Sequence, residues 1–196
     1  MSFKKLIGAM SLIASLIAPA AFANQFIVEL SAPLRGDLTK LKANLKVSEV
    51  QRFEAPGRHF MVLEGKDIAA IEAFLFAKSV TPVQIHEVDF VNSPIVGGGD
   101  AAGETMKPGH QLYLIERPIP GVGDFPLEKK QKISKGSIAA MTKLGGKVEW
   151  EQSYLTDIGT FCLYRAEDEN LIVEHGQLAG APIKTITQVS HVPVID

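Results

Sequence analysis

Glu116, Asp157 and His175 are the side chains whose types invite joint chemistry. Two carboxylates and an imidazole suit a borderline divalent ion such as nickel, zinc or copper, with coordination positions left over for water. Each also has an ordinary role. Glu116 beside Arg117 suits a strand-end ion pair, and Asp157 is at home in a turn. His175 shares a helical stripe with Leu171 and Leu178, as a hydrogen-bonded core histidine would. Cys162, between Phe161 and Leu163, reads as a buried small hydrophobe before it reads as a reactive thiol or soft ligand. Trp150 and Tyr154 are expected on one face of their strand, and Cys162 and Tyr164 on one face of theirs, so the four would line a cavity or pack a core. His59, His86, His110 and His191 are scattered without H-x-x-x-H or C-x-x-C spacing, which argues against a closed structural zinc site. There is no Gly-x-Ser-x-Gly elbow, and no catalytic residue is assigned.

The elements that would gather these groups follow a β-α-β-β-α-β order. Residues 111–117 alternate as a strand. A helix over 127–144 carries the stripe Ile138, Met141 and Leu144 and stops at Gly145-Gly146. Strands over 148–154 and 160–165 form a hairpin across the turn 155–159. A second helix over 167–178 has Asp168 as its N-cap and ends at Gly180 and Pro182, and a last strand covers 184–190. In this arrangement the exit of the first strand, the hairpin turn and the end of the second helix share one edge. Glu116, Tyr154, Asp157 and His175 are therefore expected to converge there.

The first half repeats the order with strands over 26–30, 47–53, 59–64 and 83–91 and helices over 38–45 and 68–77, the second helix capped by Asp67. The fold class is α+β, two tandem ferredoxin-like modules. A four-stranded sheet with helices on one side needs its other face covered. The halves are thus expected to pack sheet against sheet as an internal pseudo-dimer of dimeric α/β-barrel type. Each Leu, Val or Phe left wet on those faces would forgo ~1.5–3 kcal/mol. Gly97-Gly98-Gly99, Gly103 and Pro108-Gly109 mark a flexible connection, giving modules over 24–92 and 110–196 joined by 93–109. The triple glycine lacks the feeding strand and following helix of a phosphate loop.

Lys4 and Lys5, the apolar run 6–18 and Ala21-Phe22-Ala23 predict a secretory leader over 1–23. The run is shorter than the ~20 residues of a membrane span, so a periplasmic or secreted bacterial protein is expected, free of the membrane after cleavage. Removing Lys4 and Lys5 from 20 basic residues leaves 18 against 22 acidic ones, a formal charge of −4 that offers nucleic acid no footprint. Lys129, Lys130, Lys132 and Lys135 cluster, but Glu128 precedes Lys132 by four residues, as on a solvated helix face rather than an anion site. Cys162 is alone, so no intramolecular disulfide forms and stability rests on core burial.

Tyr113-Leu114-Ile115-Glu116-Arg117, Val148-Glu149-Trp150, Ser153-Tyr154, Asp157, Thr160 to Ala166, Asp168-Glu169 and Glu174-His175 together resemble a bacterial family, number 4242 among domains of unknown function. Its characterised relative is a small nickel-binding protein. The resemblance spans most of 111–193 and implies a ferredoxin-like fold, sheet-to-sheet pairing and a divalent metal, nickel first. It transfers no ligand set onto named residues. The first half is similar to the propeptide and inhibitor modules of subtilisin-like proteases through Phe26 to Leu30, Arg58 to Leu63 and Ile85 to Val91. The expected function is binding of a divalent metal or small ligand by the C-terminal module, with His175, Glu116 and Asp157 as metal ligands and no nucleotide or flavin. An enzyme using the inter-sheet cavity on a small substrate and a protease-inhibitor-like module are the alternatives. Further self-association into homo-oligomers stays open.

Overall fold

The computed structural model describes residues 24–35 and 39–194, so the leader read over 1–23 lies outside the described residues. The described chain is a mixed α+β structure. In chain order it runs β1 (Asn24–Leu30), α1 (Thr39–Leu45), β2 (Ser48–Ala55), β3 (Arg58–Gly65), α2 (Ile68–Ala77), β4 (Pro82–Val88) and β5 (Phe90–Asn92). It continues with β6 (Gln111–Arg117), α3 (Leu127–Lys143), β7 (Val148–Leu155), β8 (Thr160–Ala166), α4 (Glu169–Ala179) and β9 (Thr185–His191). The expected caps form: the Asp67 carboxylate accepts from Ala70 N at 3.0 Å, and the Asp168 carboxylate accepts from Leu171 N at 3.1 Å.

The strands join one antiparallel sheet in the order β4-β1-β3-β2-β9-β6-β8-β7-β5. Each half contributes the same internal order, β4-β1-β3-β2 and β9-β6-β8-β7. The halves meet where Phe53 and Glu54 of β2 pair with His191 and Ser190 of β9. They meet again where β5, separated from β4 by Asp89 alone, pairs with β7.

Period-two alternation sorts the side chains into three cores. Phe26, Val28, Met61 and Leu63 face Ile71 and Phe74 of α2. Ile27, Phe60 and Val62 point the other way and meet Leu112, Leu114 and Leu163 of the second half. Tyr113, Ile115, Cys162 and Tyr164 pack against Ile172 and the remaining helix side of that half. Both faces of β6 and β8, the central strands of the C-terminal sheet, are therefore buried.

Two expectations are corrected. Trp150 and Tyr154 do not share a face. Trp150 pairs with Tyr164, but Gln152 pairs with Leu163, so Glu151 is the extra residue of a β-bulge. One inserted residue reverses the alternation, which sends Trp150 to the helix side and Tyr154 into the core between the halves. The connection after β5 is also not a loose tether where it begins, since Pro94–Gly97 forms a 3-10 turn against α3. A Cβ on Gly97 would stand 2.8 Å from both Ile138 Cδ1 and Ser134 Cβ, and its absence permits this approach.

The halves are also tied by charge. Arg58 of β3 donates from Nε to Glu29 at 2.7 Å, from Nη2 to Glu116 of β6 at 2.8 Å and from Nη1 to Thr187 Oγ1 of β9 at 2.9 Å. Burial alone would raise the Glu29 pKa, but hydrogen bonds and charge from Arg58 outweigh it and hold the carboxyl below its ordinary range. Removing Arg58 leaves two facing carboxylates at the seam. Arg58→Ala should cost about 2–3 kcal/mol in urea unfolding, and adding Glu116→Gln should recover part of that loss. Strictly additive effects of the two substitutions would contradict the tie.

Candidate functional site

A cavity of about 840 Å³ lies between the C-terminal sheet and α3. Trp150 of β7 and Cys162 and Tyr164 of β8 form its sheet wall. Pro118, Ile119, Pro120 and Val122 close one side, Ala179 to Pro182 another, and α3 contributes Lys129, Lys132, Ile133, Gly136 and Ser137. The hairpin turn holds the Arg117 end of β6 in place. Gly159 has φ 155°, and a Cβ there would lie 2.1 Å from the Arg117 carbonyl oxygen.

A buried polar chain runs along the cavity. Ser137 Oγ lies 2.9 Å from the Tyr164 hydroxyl and 3.1 Å from His175 Nε2. His175 Nε2 is also 3.3 Å from the Ser137 carbonyl oxygen, which only accepts, so Nε2 carries the ring proton of the neutral imidazole. Nδ1 then keeps its lone pair, buried and without a hydrogen-bond partner among the described residues. Burial pushes the His175 pKa down to about 4; the Arg117 charge adds to this, and the Ser137 backbone bond opposes it. Burial, then neighbouring Cys162, push the Tyr164 phenol above its ordinary range against the Arg117 charge. Arg117 lies over the Tyr164 ring, 5.9 Å from its centroid, and donates from Nη1 to the carbonyls of Ala181 and Pro182 at 3.1 and 3.2 Å.

The predicted metal trio does not assemble, and this corrects the expectation of a shared rim. Glu116 follows Leu112 and Leu114 toward the other half and is bonded to Arg58, with Lys184 Nζ 3.6 Å away. His175 lies on the opposite side of the same sheet, against Tyr164 at 4.9 Å between ring centroids. The Asp157 side chain is 76% exposed and stands 3.6 Å from His86 Nδ1. Among the described residues no group of three or more His, Cys, Asp and Glu side chains is placed to hold a metal ion.

Of the four residues expected to line a cavity, Trp150, Cys162 and Tyr164 do so, on the helix side rather than between the sheets. Tyr154 belongs to the inter-half core. Cys162 is buried, its Sγ 3.0 Å from Thr160 Oγ1. Sequence reasoning missed Arg117 and Ser137 and assigned Lys129 and Lys132 to a solvated face. Arg117 carried a signal, because it shares strand parity with Tyr113 and Ile115 and so must enter the helix-side core. Lys130, Ser134 and Ser137 carried a second, since this helical spacing places them along one buried line of α3.

Residues 113–189 match the model of the nickel-responsive, SCO4226-like protein family. No curated protein matches the chain. Similar solved structures include a mutant chlorite dismutase from Candidatus Nitrospira defluvii, 9% identical with a TM-score of 0.45 over 87% of this chain and 91% of that one. The same enzyme in complex with imidazole is 8% identical, TM-score 0.45, over 86% and 90%. A heme-binding protein from Thermus thermophilus is 12% identical, TM-score 0.44, over 88% and 92%.

The depressed His175 pKa has a stability consequence. The unfolded chain takes up this proton near 6.5 and the folded chain only near 4, so the contribution is complete above pH 6.5 and is lost as pH falls through that window. Urea unfolding should show a loss of roughly 3 kcal/mol from this group between pH 7 and pH 4. In His175→Gln that component of the slope should vanish; parallel pH profiles for the two proteins would contradict the assignment.

Proposed function

We propose that the chain is an exported binding protein built of two β-α-β-β-α-β modules, 24–92 and 110–196, joined by 93–109 and set sheet to sheet as an internal pseudo-dimer. Its C-terminal module takes up a small ligand. The repeated strand order and the core shared by both halves support the pseudo-dimer. The basic, apolar and small-residue run over 1–23 supports export to the periplasm or beyond.

The observation that carries the binding reading is the cavity itself. About 840 Å³ falls within the range of small-molecule sites, and the walls combine apolar side chains with a few convergent polar groups. Ser137 and His175 are hydrogen-bonded, but no third group among the described residues orients Nδ1 of the imidazole. That favours binding over acyl transfer.

Nickel handling is the second reading, favoured by the family match over the residues that build this cavity. Side chains of the described residues do not make a nickel site by themselves: His175 Nδ1 is one free donor, and Cys162 and Tyr164 are buried within other contacts. An ion meeting His175 would have to bring its other donors from water or from a small molecule.

Prodan, a neutral naphthalene dye, tests the cavity on the full exported chain. Its emission should shift to the blue with saturable one-to-one binding. Gly136 lines the cavity, and a Cβ there meets nothing within 4 Å, so Gly136→Leu fills space without a clash at Cβ. That variant should keep or gain up to about 1 kcal/mol of helix stability and weaken dye binding by at least about tenfold. Equal binding by the two proteins would move the site elsewhere. Calorimetric titration with nickel chloride addresses the second reading, and absence of binding at micromolar levels would discard it while leaving the cavity reading intact.

A further inference from the structure

Resting on that cavity reading, we infer that the ligand is an anion, a small molecule with an apolar body and a carboxylate or comparable oxyanion. The lining argues for it by charge. Arg117, Lys129 and Lys132 contribute three cations to the wall, and among the described residues no Asp or Glu lines it.

Arg117 is the decisive member. It is 5% exposed, and its Nη2 is buried without a hydrogen-bond partner among the described residues. Its hydrogen bonds to the Ala181 and Pro182 carbonyls engage dipoles, which offset only part of a full charge withdrawn from water. The protein's other inward-lying arginines are treated differently. Arg52 is bonded to Glu49 at 2.8 Å, Arg58 to Glu29 and Glu116, and Arg165 to Glu151. Among the described residues Arg117 alone of these four has no acid partner, and it is the one that lines the cavity. A ligand carboxylate supplies the missing countercharge, and a planar guanidinium with a spare N–H is well shaped to receive it.

Lys129 and Lys132, three residues apart on α3, are exposed where the cavity meets solvent. Lys129 Nζ rests 3.2 Å from the Phe125 ring centroid, which keeps the ammonium at this rim. Positive charge at the entrance and at depth would draw an anion in and then hold it. The net charge of the whole protein is negative, so this positive field is local to the cavity rather than a general property of the surface.

The test is a charge series on one ring system, read by calorimetry with the full exported chain at constant ionic strength: 2-naphthoate, 2-naphthalenemethanol and 2-naphthylmethylammonium. The expected order is the carboxylate tighter than the alcohol by at least about tenfold, with the ammonium compound weakest. Lys132→Glu, a change at an exposed position, should weaken the carboxylate several-fold more than it weakens the alcohol. Equal affinity for carboxylate and alcohol would overturn the anion inference while the cavity reading stood. Binding of none of the three at millimolar concentration, together with failure of prodan to bind, would overturn both.

Discussion

Burial of both faces of β6 and β8, the central strands of the C-terminal sheet, is the constraint from which the site follows. A strand covered on both sides has no solvent face on which to place a polar residue at no cost, so each inward group must find a partner in whichever layer its parity assigns. In β6 the alternation sends Leu112, Leu114 and Glu116 toward the other half, and Tyr113, Ile115 and Arg117 toward the helices. Glu116 meets Arg58 across the seam. Arg117 meets two carbonyls and a cavity. Adjacent residues of opposite charge are thereby separated by the thickness of a sheet, and the ion pair their sequence suggests does not form.

The cavity exists because α3 does not fill the space it covers. Its buried positions are Lys130, Ser134, Ser137 and Ala140, small or polar residues where a packing helix ordinarily presents Leu or Ile. The stripe Ile138, Met141 and Leu144 reaches elsewhere, Ile138 toward the 3-10 turn at Gly97 and Leu144 toward the Val148 and Trp150 end of the sheet. Ser134 is spent on Asn92, its Oγ 2.9 Å from Oδ1, and Ser137 on Tyr164 and His175. Glycine at 136 widens the gap further. Void on this scale sacrifices packing energy that a ligand would restore.

Most of the elements were legible in the sequence because their signals are local. Asp67 and Asp168 cap where acidic residues precede apolar periodicity, and the hairpin of β7 and β8 turns where Asp157 and Gly159 lie. The site was less legible because it depends on parity summed over whole strands. A single extra residue, Glu151, inverts the face on which Tyr154 falls, and nothing in its type announces a bulge. Convergence of Glu116, Asp157 and His175 failed for a related reason: a common sheet edge does not imply a common sheet face. The lysine run of α3 was read as a solvated face; Lys129 and Lys132 are exposed and border the cavity mouth, whereas Lys130 is buried with its Nζ 4.4 Å from the Phe90 ring centroid.

Trp150 is the one tryptophan of the chain, and it forms part of the cavity wall, stacked at 6.0 Å between ring centroids with Tyr164. Its intrinsic fluorescence therefore reports directly on whether ligand enters on the helix side of the C-terminal sheet. Saturation with a bound anion should shift or quench Trp150 emission in proportion to occupancy. Full occupancy with unaltered Trp150 emission would place the ligand outside this cavity and contradict the account.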